Sequence, residues 1–396
     1  MSDNGLGNRS AEGYRSSRED WLAAGHGNGA PGSILALETS CDDTCAAVLD
    51  VRGRVRSNVI SSQGVHDRFG GVVPEIASRH HLELVNLVVE QALSEAGVAL
   101  GEIELVAATQ GPGLVGALLV GFSTAKALAA GRELPFVPVD HLQGHVAANF
   151  IVPPEVGGGA KVDRPGITES PSGSGQAFEP PFVCLIASGG HTLLTHVTEH
   201  NDFRVLGRTL DDAAGEAFDK GARMLGLGYP GGAALERLAA GGDPQAFALP
   251  GSRADRARGG KGTGRRAFEQ GMDFSFAGLK TALLYKLREL SAAEIAVRGA
   301  DLAASYQAAI VDSLLTRAER GLLETGLDRL AVGGGVAANG ELRRRLDTLG
   351  ATVHVPAREL CTDNAAMIAS AARYVERLQY PTYLGLDAYA TGERAR

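Results

Sequence analysis

Two histidines four positions apart, His141 and His145, are the residues that most directly suggest metal chemistry. On a helix this spacing places both imidazoles on one face, where they can bind one ion. The chain contains ten histidines, so such a pair also arises by chance and a third ligand is needed. Asp363 is the best candidate because it lies just before an apolar segment that reads as a helix. Two histidines and one carboxylate suit iron(II), and zinc also fits these ligands.

A metal-dependent peptidase is a weaker interpretation of the same pair. Its helix carries a glutamate directly after the first histidine, and that glutamate acts as general base beside the bound water. In this chain Leu142 holds that position and Gln143 follows it. Because no carboxylate lies between the two histidines, the pattern does not favour peptide hydrolysis.

Two glycine-rich turns could hold an anion or a nucleotide. The first, residues 188–192 with the sequence SGGHT, separates two apolar strands. Its backbone N–H groups can bind an anion, although an ordinary hairpin would show the same pattern. The second, residues 331–339, is an apolar strand entering a glycine turn, a place that commonly receives a nucleotide. The P-loop pattern GxxxxGK[ST] does not occur, so the chain is not a P-loop protein.

An acidic segment, residues 211–220, offers a further kind of site. If it is helical, Asp212, Glu216 and Asp219 lie near one face. In a cleft these carboxylates could bind ribose hydroxyls. Acids also favour the first turn of any helix, so a solvated helix start explains the segment as well.

These residues need a frame, and the apolar pattern predicts two α/β halves. In the first half, three strands are followed by a helix, a buried strand and a glycine-rich segment that enters another helix. In the second half the same order of strands and helices returns without a repeat of residues. Two such halves enclose a cleft, and both strand turns face it. The predicted strands are residues 34–37, 45–49, 55–61 and 105–109, then 182–187, 193–197 and 203–206.

Composition suggests where the lobes begin and end. Lobe I is predicted to cover residues 33–150 and lobe II residues 181–330. Residues 331–396 hold the glycine turn, the candidate aspartate and a C-terminal helix that returns to the cleft and lobe I. A disordered N-terminal tail is predicted for residues 1–32, and a flexible insertion rich in Gly, Pro and Ser for residues 151–180.

The overall charge argues against a large nucleic-acid face. The formal net charge is -8 and the pI is about 5.7, whereas a protein that binds nucleic acid alone usually has a basic surface. Any RNA contact must therefore use a local patch or the surface of a partner. Residues 252–266, an insertion in lobe II, carry six basic side chains and one acid. That composition suits either a solvated loop or an arm that contacts phosphates.

Targeting signals and cysteine chemistry are not evident in the sequence. The four cysteines form no CxxC pair, so neither a zinc ribbon nor a redox pair is indicated. No run of 18 apolar residues predicts a membrane span, and residues 1–32 lack the apolar stretch of a secretory signal. We therefore expect a cytoplasmic protein that makes no membrane contact.

Ten short motifs in a fixed order are more specific than any one of them. They are ETSCDDT at 38–44, GGVVPE at 70–75, GPGLVG at 111–116, the histidine pair, SGGHT at 188–192, DDAAGEAFDK at 211–220, YPGG at 229–232, FSFAGLKT at 274–281, the glycine turn at 333–339 and CTDN at 361–364. This set closely resembles the tRNA N6-adenosine threonylcarbamoyltransferase family. The resemblance covers about residues 33–375 apart from the two insertions.

The resemblance implies an actin-like ATPase fold and a defined reaction. A threonylcarbamoyl group passes from threonylcarbamoyl-AMP to the adenosine at position 37 of the tRNA anticodon loop, and AMP leaves. His141, His145 and Asp363 match the ligands of one divalent metal ion. Asp43 belongs to an acidic turn facing the cleft and is the candidate base or amine-orienting group. The residues that match the adenylate-binding positions are Ile186, Ala187, Ser188, Gly189, Gly190, Asp219, Gly232 and Asn339.

The resemblance also implies partners, and two alternatives stay open. Members of the family act with a shorter inactive paralogue of the TsaB type and an ATPase of the TsaE type. Gln143, Ala277 and Ala337 replace a common Glu, Ser and Ser without removing a proposed ligand. An ATP-dependent small-molecule kinase on the same fold would leave the histidine pair unexplained. A non-catalytic assembly subunit would not need the complete set of candidate ligands.

Overall fold

The computed structural model describes residues 32–152, 178–250 and 271–390, in which groups of strands alternate with helices. The strands are β1 (Ser33–Glu38), β2 (Asp43–Asp50), β3 (Val55–Ser62), β4 (Ile103–Gly111), β5 (Phe136–Asp140), β6 (Phe182–Ala187), β7 (Thr192–Glu199), β8 (Asp202–Arg208), β9 (Arg329–Gly333) and β10 (Thr352–His354). The α-helices are α1 (Pro74–Ala96), α2 (Val115–Ala130), α3 (His141–Ala147), α4 (Ala214–Met224), α5 (Gly231–Ala239), α6 (Ala277–Glu289), α7 (Ala292–Thr325), α8 (Gly340–Leu346), α9 (Arg358–Cys361) and α10 (Ala365–Ala372). Short 3-10 turns cover Gly64–Phe69, Leu100–Glu102, Ala148–Phe150, Gly335–Ala338 and Thr382–Gly385.

Two five-stranded sheets share one strand order. The first sheet reads β3-β2-β1-β4-β5 and the second reads β8-β7-β6-β9-β10. In both, the first three strands of the half pair antiparallel, and the last two add in parallel. The predicted repetition of strand, turn, strand and strand is therefore confirmed.

Burial explains why β1 and β6 are central strands. Both are buried along their whole length, as expected for strands covered by helices on both faces. On one face of the first sheet, side chains of α1 and α2 such as Val85 and Phe122 pack against Leu35 of β1. The second sheet packs on the 34-residue helix α7, whose Tyr306 is fully buried in the same core as Leu185 of β6.

A third apolar cluster joins the two sheets. It contains Ile34 of β1, Phe182 and Ile186 of β6, and Met367 of α10. All eight residues of α10 are buried, because this helix lies between the halves rather than on the surface. The cluster thereby fixes the turns that follow β1 and β6 on opposite sides of one cleft.

Three predicted segments lie wholly or mostly outside the residues that the structure describes. The tail at 1–32 lies outside the described residues except for its last position, and the basic segment 252–266 lies wholly outside them. The insertion predicted at 151–180 is described only at its two ends. Within the described ranges, no helix combines the length and the apolar character that crossing a bilayer requires.

Candidate active site

A cavity of about 820 Å³ lies between the two halves and receives residues from both. Its first wall comes from the turn after β1, the loop before α1, the glycine-rich loop before α2 and the start of α3. Its second wall comes from the turn after β6, from α4 and from the loop before α5. The lining residues include Ser40, Cys41, Asp42, Gly70, Gly71, Pro112, Gly113, His141, Ser188, Gly189, Gly190, His191, Asp219, Arg223, Tyr229, Gly335 and Asp363.

The histidine pair lies on α3, as its spacing predicts. The helix begins at His141 because the Asp140 carboxylate accepts hydrogen bonds from the N–H groups of Leu142 at 2.8 Å and Gln143 at 3.1 Å. The two imidazole rings stand edge to face with centroids 4.7 Å apart. Both rings are buried, His145 completely, so neither belongs to an ordinary solvated surface.

Asp363 reaches the same point from the far end of the chain. It lies between α9 and α10, where the Asn364 side chain caps α10 by accepting from the Met367 N–H at 2.9 Å. Its Oδ1 atom is 3.5 Å from His141 Nε2 and 3.3 Å from His145 Nε2. The structure therefore brings together the three candidate ligands named from the sequence.

The chemistry and spacing of the three side chains fit a metal ion. One ligand atom from each lies within 4.8 Å of the others, and metal–ligand bonds of about 2.0–2.2 Å need ligand atoms roughly 3–3.5 Å apart. Among the described residues, both ring nitrogens of the buried His145 lack a well-formed hydrogen bond. A buried polar atom without a partner is unfavourable, so a metal ion bound to His145 Nε2 would stabilise the site. Two nitrogens and one oxygen are a donor set for iron(II) or zinc.

Electrostatics in the cluster favour the ionised carboxylate. Burial lowers the pKa of His141, but the negative charges of Asp363 and Glu38 outweigh it and raise that pKa to about 9. Burial would raise the pKa of Asp363, yet the imidazoles of His141 and His145 hold it well below its usual range. The carboxylate is thus ready to bind a cation, whereas a metal must displace a proton from His141.

The turn after β6 exposes backbone to the cavity. It is closed by the Ser188 N–H, which donates to the His191 carbonyl at 2.8 Å, and by the His191 N–H, which donates to Ser188 Oγ at 3.0 Å. A side chain at Gly189 or Gly190 would meet nothing within 4 Å. Ser188, Gly189 and Gly190 all line the cavity, so the turn offers peptide groups to a ligand.

The last two residues of β6, which precede this turn, do not expose their side chains to the cavity. Ile186 and Ala187 are fully buried in β6, so their side chains belong to the core. The Ala187 carbonyl instead approaches the second glycine turn, where Gly334 has φ +85° and a Cβ would come within 2.4 Å of that oxygen. Only glycine suits such a conformation at such close range.

The remaining predicted adenylate residues form a hydrogen-bonded rim on the second wall. Asp219 lines the cavity, and its Oδ1 accepts the N–H groups of Gly231 at 2.8 Å and Gly232 at 3.2 Å. Burial raises the pKa of Asp219. Asn339 is buried beside the cavity, caps α8 through the Leu342 N–H at 2.9 Å, and donates to Gln307 at 2.9 Å. Gly232 and Asn339 therefore shape the wall without lining it.

The predicted common face holds for Glu216 and Asp219, which both line the cavity, but is wrong for Asp212. Helix α4 begins only at Ala214, so Asp212 precedes it. Lys220 lies between Asp212 at 2.7 Å and Glu216 at 2.8 Å and forms an ion pair with each. Asp219 is left as the acid of this segment that contacts a glycine turn.

In the acidic turn after β1, the side chains of Asp42 and Asp43 have different surroundings. Asp42 lines the cavity, whereas Asp43 is the first residue of β2 and its carboxylate accepts a hydrogen bond from Ser62 on β3. Burial is the main cause that raises the pKa of Asp43 to about 7. A base role for Asp43 therefore requires it to act from behind the cavity wall.

A buried polar network fixes this turn against the loop before α1. His81 Nε2 lies 3.0 Å from the Cys41 carbonyl, and its Nδ1 lies 3.3 Å from the Gln63 amide nitrogen. Gln63 Oε1 contacts His66 Nε2 at 3.0 Å, and His66 Nδ1 accepts the Val73 N–H at 3.3 Å. Because each ring nitrogen then has a defined donor or acceptor role, the hydrogen bonds fix the orientation of both imidazoles. One network thus holds together two parts of the first wall, the turn after β1 and the loop before α1.

Two residues of the site were not singled out from the sequence. Glu38, at the end of β1, has a completely buried carboxylate 3.0 Å from His141 Nδ1. His191 lines the cavity with its ring centroid 6.0 Å from that of His141, and burial lowers its pKa to about 4. A glutamate ending an otherwise apolar strand was the available signal for Glu38, because a charge buried there needs a partner.

Comparison with solved structures supports the fold. Full-length HypF in a phosphate- and nucleotide-bound form superposes with a TM-score of 0.52 at 14% identity, over 90% of this chain and 56% of that one. HypF from T.kodakarensis gives a TM-score of 0.51 at 14% identity, over 87% of this chain and 48% of that one. At this identity the likeness concerns the fold alone. Together with the matching strand orders, it confirms the predicted actin-like, duplicated α/β architecture.

Comparison with sequences is more specific. A family model described as tRNA N6-adenosine threonylcarbamoyltransferase matches residues 54–157 and 166–370. A protein of that name from Pelobacter propionicus is 44% identical over 368 residues, which are 92% of this chain and 98% of the relative. Another from Symbiobacterium thermophilum is 47% identical over 363 residues, 90% of this chain and 95% of the relative. The chain therefore belongs to the tRNA N6-adenosine threonylcarbamoyltransferase family and is a transferase that acts in tRNA modification.

Proposed function

We propose that this chain transfers a threonylcarbamoyl group from threonylcarbamoyl-AMP to N6 of the adenosine at tRNA position 37, in tRNAs that read codons starting with adenine. The observation that carries the proposal is that three candidate metal ligands cluster at one cavity, which two of them, His141 and Asp363, line together with an open glycine turn. A phosphoryl-transferring kinase on this fold would use the glycine turns but would leave the buried histidine pair without a role. The reaction would take place in the cytoplasm, where its tRNA substrate is found.

His141, His145 and Asp363 would hold one divalent ion, with iron(II) as our first choice and zinc as the second. When bound, such an ion supplies Lewis-acid chemistry toward a carbonyl or phosphate oxygen. The protein's own part is to keep the three donor atoms close together and nearly dry, which burial of both histidines achieves.

The second wall would bind the adenylate end of the donor. The peptide N–H groups at Gly189 and Gly190 can share the negative charge of the phosphate and of the developing oxyanion. Asp219 on α4, whose carboxylate lies at the head of α5, would accept hydrogen bonds from ribose hydroxyls. Ile186, Ala187, Gly232 and Asn339 hold these groups in place from behind.

The donor is a mixed anhydride, so its carbamoyl carbon is already activated, whereas the adenine amine is a poor nucleophile. N6 attacks that carbon, the bond to the phosphate oxygen breaks, and AMP leaves with the electron pair. The amine proton must pass to a base, and Asp43 remains our proposal, next to Asp42, which lines the cavity. Orientation and charge stabilisation provide most of the catalysis in such a transfer. Because the target lies in a single-stranded loop, the base can be splayed into the cleft.

A shorter paralogue of the TsaB type and an ATPase of the TsaE type are the proposed partners. Helices α1 and α2 pack against each other and leave apolar residues in water: Leu82 is 65% and Leu87 59% exposed on α1, and Val115 is 47% and Leu119 45% exposed on α2. Exposed apolar residues on adjacent helices are typical of a protein interface. The net charge of -8 also fits an enzyme that needs another surface to hold tRNA.

Depletion in the host is the test of the proposed function, because the cell supplies the partners. Bulk tRNA is digested to nucleosides, and threonylcarbamoyl-adenosine is measured by mass spectrometry. We expect the nucleoside to disappear and to return with the wild-type gene or with the surface variant His80→Ala, but not with His141→Ala. An unchanged level after effective depletion, with no second copy of the gene, would refute the reaction.

A further inference from the structure

Glu38 is a buried charged group for which the proposed reaction gives no role. Its side chain is 0% exposed, and an ionised carboxylate in such a place is unfavourable unless several donors surround it. It is not one of the three clustered candidate ligands, which are His141, His145 and Asp363. A buried carboxylate next to a candidate ligand therefore needs an explanation of its own.

Three donors converge on this carboxylate from three elements. The Ser40 N–H donates to Oε1 from the turn after β1. The Thr109 hydroxyl donates to Oε2 at 2.5 Å from β4, and His141 Nδ1 lies 3.0 Å from the same oxygen on α3. Because the Ser40 and Thr109 contacts fix both oxygens, Glu38 cannot turn away from His141. The carboxylate is held in one position, so the orientation and tautomer of the imidazole follow from it.

The contact decides which nitrogen of His141 faces the cluster. A carboxylate accepts hydrogen bonds only, so Nδ1 carries its proton toward Glu38. The lone pair of neutral His141 then lies on Nε2, the atom 3.5 Å from Asp363 Oδ1. The neighbouring ring of His145 has no such partner, because its Nδ1 is buried without a hydrogen bond among the described residues. The two histidines are therefore positioned unequally.

From this arrangement we infer that Glu38 is a positioning residue that orients His141 and raises the affinity of the three-residue cluster for a divalent metal. The inference rests on the metal centre in the proposed function. A metal-bound imidazole is a stronger N–H donor than a neutral one, so a charged acceptor on its far nitrogen stabilises the metal-bound form more than the neutral, metal-free form. Partners of this kind contribute about 10- to 100-fold in metal affinity.

The test compares zinc affinity of the full chain with that of Glu38→Gln, measured by competition with a chelating indicator. Glutamine keeps the size of the side chain and removes the charge, so we expect binding at least about tenfold weaker. The matched control is Thr109→Val, which removes one donor to Glu38 but leaves the Glu38–His141 contact, and should weaken binding less. Thermal unfolding of the zinc-free proteins shows whether each variant is folded.

Two results would overturn the inference, and they are distinguishable. If wild type binds zinc and Glu38→Gln binds it equally well, Glu38 has no positioning role. If wild type binds neither zinc nor iron(II), the metal centre itself fails, and the inference fails with it.

A second measurement does not depend on the variant folding. In zinc-loaded wild-type protein labelled with ¹⁵N-histidine, His141 should show a protonated Nδ1 and a metal-bound Nε2 by NMR. The opposite tautomer, with Nδ1 bound to zinc, would contradict the role of Glu38.

Discussion

The two walls of the cleft are built from different kinds of groups. On the first wall the candidate ligands are side chains: His141 and His145 converge with Asp363 from the C-terminal part of the chain, and Glu38 contacts His141. The second wall also presents peptide groups to the cavity, at the turn after β6, and Gly335 adds another from the second glycine turn. The halves share one strand order, so the difference lies in what each turn presents.

This difference fits the two ends of the proposed reaction. A metal needs ligands of defined type at defined distances, which only side chains supply. A phosphate or a nucleotide needs an open surface with N–H groups, which glycine turns supply. A change in the first wall should therefore affect metal and catalysis together, and a change in the second should affect donor binding while the metal stays.

The largest effect is expected for Asp363→Ala. Removing the carboxylate leaves two histidines, and both bound metal and activity should fall together, the activity by at least about 1,000-fold as for other groups that stabilise a transition state. Elemental analysis of the purified protein and a transfer assay with tRNA measure the two quantities. The control is Asp347→Ala at an exposed aspartate. Full metal content in Asp363→Ala would refute the ligand assignment.

A substitution at Gly334 should instead destabilise the second glycine turn. At φ +85° an alanine is strained, and its Cβ would lie 2.4 Å from the Ala187 carbonyl, so Gly334→Ala should lower the free energy of unfolding by about 3 kcal/mol. Gly335→Ala is the control, because a Cβ there meets nothing within 4 Å. Chemical denaturation measures both, and equal stabilities would contradict the conformational argument.

The same contrast explains what the sequence could predict. The spacing of His141 and His145 gave their common helix face directly, because helix periodicity converts spacing into position. Asp363 came from its place before an apolar segment, and its contact with the pair, 222 residues away from His141 (363 minus 141), is confirmed by the geometry. The order of strands in both halves was also predictable, since buried strands and turns have local signals.

Contacts between distant backbone groups were not predictable. Nothing local shows that Gly334 approaches the Ala187 carbonyl, or that Asp42 rather than Asp43 lines the cavity. Periodicity also did not show that Asp212 precedes α4, or that Asp212 and Glu216 both pair with Lys220. Such features depend on which surfaces meet, and the separate motifs do not specify that.

Asp43 offers a pH test of the first wall. Its pKa in the folded chain is raised from 3.8 to about 7, so its contribution to stability is present in full below about pH 4 and is lost as the pH rises through 7. Asp43→Asn lacks this titration. Relative to wild type, the variant should gain up to about 2 kcal/mol between pH 4 and pH 8, a value below the full shift because the carboxyl keeps some solvent contact.

Denaturation of metal-free protein across that pH range measures the difference, with Asp347→Asn at an exposed aspartate as the control. Parallel stability curves for wild type and Asp43→Asn would show that the carboxyl is not buried in the way the structure has it.

The smallest expected effect is at Asp219, and it separates the two walls most cleanly. Asp219→Ala removes the charge and the acceptor for Gly231 and Gly232, so the affinity for a non-hydrolysable adenylate analogue should fall about tenfold, or about 1.4 kcal/mol. Metal content should not change, because Asp219 is not part of the ligand cluster. Asp219→Asn keeps an acceptor for the two glycines, and its affinity should lie between wild type and alanine if both charge and wall shape matter. Calorimetry with the analogue and metal analysis of the same samples give both values. A variant that lost metal while keeping its affinity for the analogue would contradict the assignment of metal binding to the first wall and donor binding to the second.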